Sequence, residues 1–253
     1  MAAPNTSSRI RACWLSWIAV EAADPAGVVE HLGLTDVREI SWTGGAGLVD
    51  EIAHDHDRFF TVVVVPAVAG WTLVFGPWAS LLYLENVVHV TDLCREMSEC
   101  FGKAHAYFTS EQNDGEAWLI ARDGVVVRRY ISEYPELALG EPFGAERRHL
   151  DAAGIMGRPE DLDPDSDEPC DWLGTYLFAA VEIAAESSLD PTNISGHAHV
   201  VGSMLLAQAP AFELKDPITG TAPHLGESRI VSAEGPAWRA TASFCCGSRT
   251  GQE

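Results

Sequence analysis

The strongest constraint on this chain lies between residues 105 and 131, where His105 to Thr109, Ala117 to Ala121 and Val125 to Ile131 form three short, largely apolar runs. Their connections, Asn113-Asp114-Gly115 and Arg122-Asp123-Gly124, each carry an Asp-Gly dipeptide. Asp-Gly readily adopts the positive φ that a two-residue hairpin turn demands, so the three runs follow one another as an antiparallel β-meander. A sheet of this kind must bury at least one face, and the rest of the chain has to cover it.

The segments before the meander supply both more sheet and its cover. Ala12 to Val20 reads as a buried first strand. Asp24-Pro25 is a helix start, with Asp24 as cap and Pro25 in the first turn, Val28, Val29 and Leu32 forming the apolar face and Gly33 the stop. Val37 to Trp42 is extended, and Gly44-Gly45-Ala46-Gly47 reads as a loop that breaks it. Phe59 to Val65 is a continuous apolar strand ended by Pro66, and Trp71 to Phe75 follows at hairpin distance. This gives β-α-β-β-β. Val87 to Phe101 turns helical, with Val90, Leu93, Cys94 and Met97 at three- and four-residue spacing before Gly102. Glu146 to Gly157 is a short helix or an irregular connection.

The composition changes after the meander. Pro159 to Asp171 carries seven acidic residues and three prolines and reads as an exposed acidic linker. Asp171 to Glu186 follows as an apolar, alanine-rich helix, and Ala198 to Leu206, Arg229 to Ser232 and Trp238 to Cys245 as strands. The expected class is α+β: a mostly antiparallel sheet with a meander, packed by a few helices, with a C-terminal helix-plus-strand extension. Residues 1–158 form the α+β part, 159–171 the acidic linker, and 172–253 a helix followed by strands packed on the first part as one globular unit.

Charge narrows the range of partners. With 37 acidic residues against 16 basic ones the chain carries a formal charge of −21, which disfavours phosphate backbones and anionic membranes and favours a basic protein. No apolar run approaches the ~20 residues of a membrane span. Arg9, Arg11 and the run that follows have the outline of a signal peptide, but the run is short, rich in Trp and interrupted by Glu21, so a strand fits better. Six cysteines without any CxxC spacing read as reduced thiols of a cytoplasmic protein.

The sharpest chemical pattern is a pair of HxH motifs, His54-Asp55-His56 and His197-Ala198-His199. On a strand, residues i and i+2 share a face, so His54, His56, His197 and His199 become candidate ligands of a transition metal, with Asp55 or Asp57 as a carboxylate partner. Against this, Ala53 to Arg58 is a polar connection in which such residues are ordinarily solvated. The acidic series from Asp161 to Glu168 lacks the glycine and the final glutamate of a calcium loop. The glycine-rich segment matches neither a Walker loop nor a dinucleotide fingerprint, and there is no GxSxG elbow. The cofactor is thus either none or a transition metal, and no catalytic residue is assigned.

Trp14 to Ala19, Asp24-Pro25 through Leu32-Gly33-Leu34, Ser41-Trp42, Gly70 to Val74, Phe101-Gly102, Trp118, Asp123-Gly124, Arg128-Arg129-Tyr130 and Ser188 to Pro191 occur in a familiar order. Over most of residues 12–195 the chain resembles a widespread set of uncharacterised bacterial, mainly actinobacterial, proteins, and more loosely the small acidic α+β immunity proteins that accompany toxins. That resemblance carries no site residues. The net charge points to a non-enzymatic binding module, and the looser resemblance implies its specific form, a toxin-neutralising immunity protein acting through its acidic surface. The alternative is a metal-dependent enzyme of specialised metabolism that uses the HxH pairs.

Overall fold

A computed structural model describes residues 9–22, 24–111, 115–162, 179–196, 202–213 and 230–231. The strands are β1 (Trp14–Val20), β2 (Thr35–Ile40), β3 (Thr61–Val68), β4 (Trp71–Phe75), β5 (Lys103–Ser110), β6 (Glu116–Arg122), β7 (Val125–Ile131) and β8 (Met204–Gln208). They form one 8-stranded sheet in the order β2-β8-β3-β4-β1-β5-β6-β7, every neighbouring pair being antiparallel. A separate short pair joins β9 (Phe212–Glu213) to β10 (Ile230–Val231). The helices are α1 (Pro25–His31), α2 (Trp42–Ala53), α3 (Leu84–Phe101), α4 (Gly144–Ala152) and α5 (Ala179–Ser187). The α+β class expected from the sequence is the class observed.

Strand alternation divides the apolar residues between two cores. Leu15, Trp17 and Ala19 of β1 join Tyr107, Trp118, Ile120 and Tyr130 on the face covered by α2, α4 and α5. Ile18 and Val20 join Val74, Ala106, Phe108 and Leu119 on the face covered by α1 and α3. Burial on both faces explains the near-continuous apolar runs of β1 and β3. Trp17, Trp78 and Trp118 are fully buried, and truncating a core Trp to Ala costs about 3–5 kcal/mol.

The turns follow the dipeptides that encode them. Asp123 (φ 48°) and Gly124 (φ 77°) form the two-residue connection of β6 and β7, both in the left-handed region as a type I′ turn requires. Tyr107 then pairs with Trp118, and Trp118 with Tyr130. Asp24 caps α1 by accepting the Ala26 N–H at 3.0 Å, with Pro25 in the first turn.

Three local expectations are corrected. Gly44 to Gly47 is not a loop but part of α2, which begins at a Ser41 cap whose Oγ accepts the Gly44 N–H at 3.1 Å. Each helical glycine costs up to about 1 kcal/mol of propensity, and Gly45 has a packing reason: a Cβ there would press on the Met204 side chain, 3.3 Å from its Cβ, and on Ile40 Cδ1 at 3.2 Å, so glycine lets α2 settle onto β8. Pro66 does not end its strand. β3 runs to Val68, and Pro66 falls within the register shift between Val65 and Val68, where its missing N–H breaks no ladder bond. Pro159–Asp161, expected as exposed linker, is a 3-10 turn that turns Glu160 inward to a buried arginine.

The last third of the chain contributes to the sheet itself. β8 lies between β2 and β3, and α5 packs on β5, β6 and α4. Residues 163–178, including the start of the helix expected from Asp171, lie outside the described residues, as does the strand expected at 238–245.

Candidate functional site

The backbone entering β1 and the end of α2 bring three metal-ligating side chains together. Asp50 and His54 lie one helical turn apart, and His54 is the C-cap of α2. The Cys13 N–H donates to Asp50 Oδ1 at 3.0 Å, and the Cys13 carbonyl accepts the Glu111 N–H at 2.9 Å, tying this point to the end of β5. His54 Nε2 stands 3.7 Å from the same Asp50 oxygen, and the Trp14 ring packs on the His54 ring with centroids 5.0 Å apart. One donor atom from each of Cys13, Asp50 and His54 lies within 4.8 Å of the others.

This grouping shares only His54 with the HxH expectation. His56 opens a 3-10 turn and is exposed. Asp55 caps that turn through the Asp57 N–H at 3.1 Å and pairs with Arg58 at 3.2 Å. Because residues 54–58 are helical and turn-like, His54 and His56 lack the shared face a strand would give them. His197 and His199 lie outside the described residues.

A second polar cluster is buried under α5. Tyr107 Oη lies 3.0 Å from His105 Nδ1, 2.8 Å from Ser187 Oγ and 2.9 Å from Ser188 Oγ. Burial lowers the His105 pKa from 6.5 to about 3, and the Arg122 and Lys103 charges add to the effect. Burial pushes the Tyr107 phenol well above its ordinary value, against the pull of the two serines. The imidazole therefore stays neutral and the phenol protonated at ordinary pH, so the cluster ties β5 to the end of α5 as an uncharged hydrogen-bonded group. His105 Nε2 and Trp17 Nε1 have no hydrogen-bond partner among the described residues.

The third cluster is a fully buried guanidinium. Arg128 Nε donates to Glu146 Oε2 at 3.0 Å, Nη1 to Glu160 Oε1 and the Gly140 carbonyl, both at 2.9 Å, and Nη2 to Glu160 Oε2 at 3.0 Å. Trp118 Nε1 donates to Glu146 at 3.2 Å. Burial opposes the Arg128 charge, but hydrogen bonds and charges from Glu160 and Glu146 outweigh it and hold its pKa above the usual arginine value. Nearby, buried Glu116 accepts the Ala180 N–H at 2.8 Å and so fastens the first turn of α5. Both clusters hold helices to the sheet.

The surface is dominated by carboxylates. Arg58, Arg95, Lys103, Arg147, Arg148 and Arg158 each stand in an ion pair, while Arg128 and Arg129 are buried. Glu85, Glu96, Glu99 and Glu136 are exposed. Around Tyr134, burial raises the phenol pKa and the charges of Glu85, Glu133 and Glu136 raise it further, which locates a negative corner where α3 begins and β7 ends.

No family model matches the chain, and no curated protein or solved structure matches it either. Among the described residues no helix is long and apolar enough to cross a membrane.

Proposed function

We propose that this chain is a non-enzymatic protein-binding module that takes a basic protein partner on the acidic corner of α3 and β7, and that its specific role is that of a toxin-neutralising immunity protein. The observation that carries the reading is the distribution of charge. Most basic side chains of the described residues are spent on internal pairs or buried, whereas Glu85, Glu133 and Glu136 converge on Tyr134. Converging like charges are costly to hold together, and an approaching cationic surface relieves that cost while the long-range field speeds encounter.

The test is binding of the purified basic products of neighbouring genes, measured by biolayer interferometry across a salt series. One of them is expected to bind, with an association rate that falls at least about tenfold between low and physiological salt. Glu85→Lys together with Glu136→Lys should slow association similarly while leaving the fold intact. A panel without a binder, or a complex indifferent to salt and to both substitutions, overturns the proposal.

A further inference from the structure

We propose that Cys13, Asp50 and His54 bind one divalent transition-metal ion of the zinc class. The donor set decides the type of metal. A thiolate, an imidazole and a carboxylate suit a borderline-soft ion, whereas calcium and magnesium take oxygen ligands.

Geometry makes the three donors available to one ion. With metal–sulfur bonds of about 2.3 Å and metal–nitrogen or metal–oxygen bonds of about 2.0–2.1 Å, donors around a tetrahedral ion sit roughly 3.3–3.6 Å apart. Asp50 and His54 are already 3.7 Å apart, and all three donors fall within 4.8 Å. Closure thus asks for about an ångström of side-chain movement, within the reach of ordinary rotamer adjustments. Cys13 and Asp50 are half-buried and His54 is exposed, so the side chains have room to turn and the ion has a way in.

The surroundings favour a cation and hold the ligands. The site lies at the C-terminal end of the 12-residue helix α2, where unpaired carbonyls concentrate partial negative charge. The Cys13 N–H fixes the Asp50 carboxylate, the Trp14 ring limits the imidazole, and the Glu111 N–H anchors the Cys13 backbone; outer contacts of this kind orient metal ligands. Thiolate and carboxylate together balance the charge of a divalent ion. Three protein ligands leave a fourth position for water or for a donor brought by a partner.

The experiment is a cobalt(II) titration of chelator-treated full-length protein, followed by absorption spectroscopy. One cobalt per chain should bind with a thiolate-to-cobalt charge-transfer band and the intense visible bands of a tetrahedral ion, and zinc should displace it. Cys13→Ser should abolish the charge-transfer band, and Asp50→Asn and His54→Ala should each weaken binding by at least about tenfold. His56→Ala and the His197→Ala/His199→Ala pair should leave the titration unchanged. Circular dichroism confirms that each variant folds. The absence of a charge-transfer band in the parent protein overturns the proposal, as does a band that survives Cys13→Ser or disappears with the 197/199 pair. Partner binding is measured without metal, so failure here leaves the binding-module reading to its own test.

Discussion

His105 makes the fold sensitive to acid in a way that can be isolated from every other group. In the folded chain its pKa is lowered from 6.5 to about 3 by burial, assisted by Arg122 and Lys103. Between those two values the unfolded chain binds a proton that the native chain refuses, so stability rises with pH and is lost on acidification. Going from about pH 7.5 to about pH 5.5 this one residue removes about 1.4 kcal/mol, a tenfold change in the folding constant. Below about pH 5.5, where the unfolded histidine is almost fully protonated, the loss steepens to about 1.4 kcal/mol per pH unit and continues so towards pH 4. Surface carboxylates add a slope of their own at the acid end, so the quantity to measure is the difference between the parent chain and His105→Leu. Urea unfolding followed by tryptophan fluorescence gives both curves. The variant should lose about 1.4 kcal/mol less than the parent over the same interval, whatever its absolute stability. Parallel curves would refute the reasoning, because they would mean that the imidazole reaches water or a carboxylate in the folded protein.

The remaining expectations concern buried charge and backbone. Arg128→Ala strands Glu146 and Glu160 in the interior and should cost about 3–5 kcal/mol by urea unfolding, since breaking a buried pair leaves an uncompensated charge; a loss under about 1 kcal/mol would mean the pair is hydrated. Gly140→Ala places a Cβ 2.0 Å from the Val127 carbonyl oxygen at φ +73° and should cost at least about 2 kcal/mol. Gly47→Ala, with open space around the same position, should instead stabilise α2 by up to about 1 kcal/mol.

What could be read in advance was what neighbouring residues decide. Asp123-Gly124 encodes its own turn and, with the flanking alternation, the register of the meander; Asp24-Pro25 does the same for α1. The misreadings sit where distant residues decide. Gly44 to Gly47 has poor helix propensity, and only the approach of Met204 shows why glycine suits that helix. Glu160 sits in an acidic, proline-rich stretch that looks solvated, and its partner Arg128 is 32 residues away. Arg128 and Arg129 were visible only as a motif; the structure sends the first to Glu146 and the second to Leu137 and Thr91. The metal-ligating cluster was legible in part. Asp50 and His54 have the four-residue spacing of ligands on one helix face, a signal hidden by reading the preceding glycines as a loop. Cys13 had no local signal, because it reaches Asp50 across 37 positions.

The position of β8 determines when the sheet can be finished. Its two neighbours are synthesised well before it, yet residues 204–208 lie between them, and among the described residues β2 pairs with no other strand. Until residues 204–208 emerge from the ribosome, β3 presents an open, valine-rich edge able to pair with another nascent chain. Closure of the sheet therefore waits on β8, and premature termination before residue 204 should yield aggregating fragments rather than a smaller working protein.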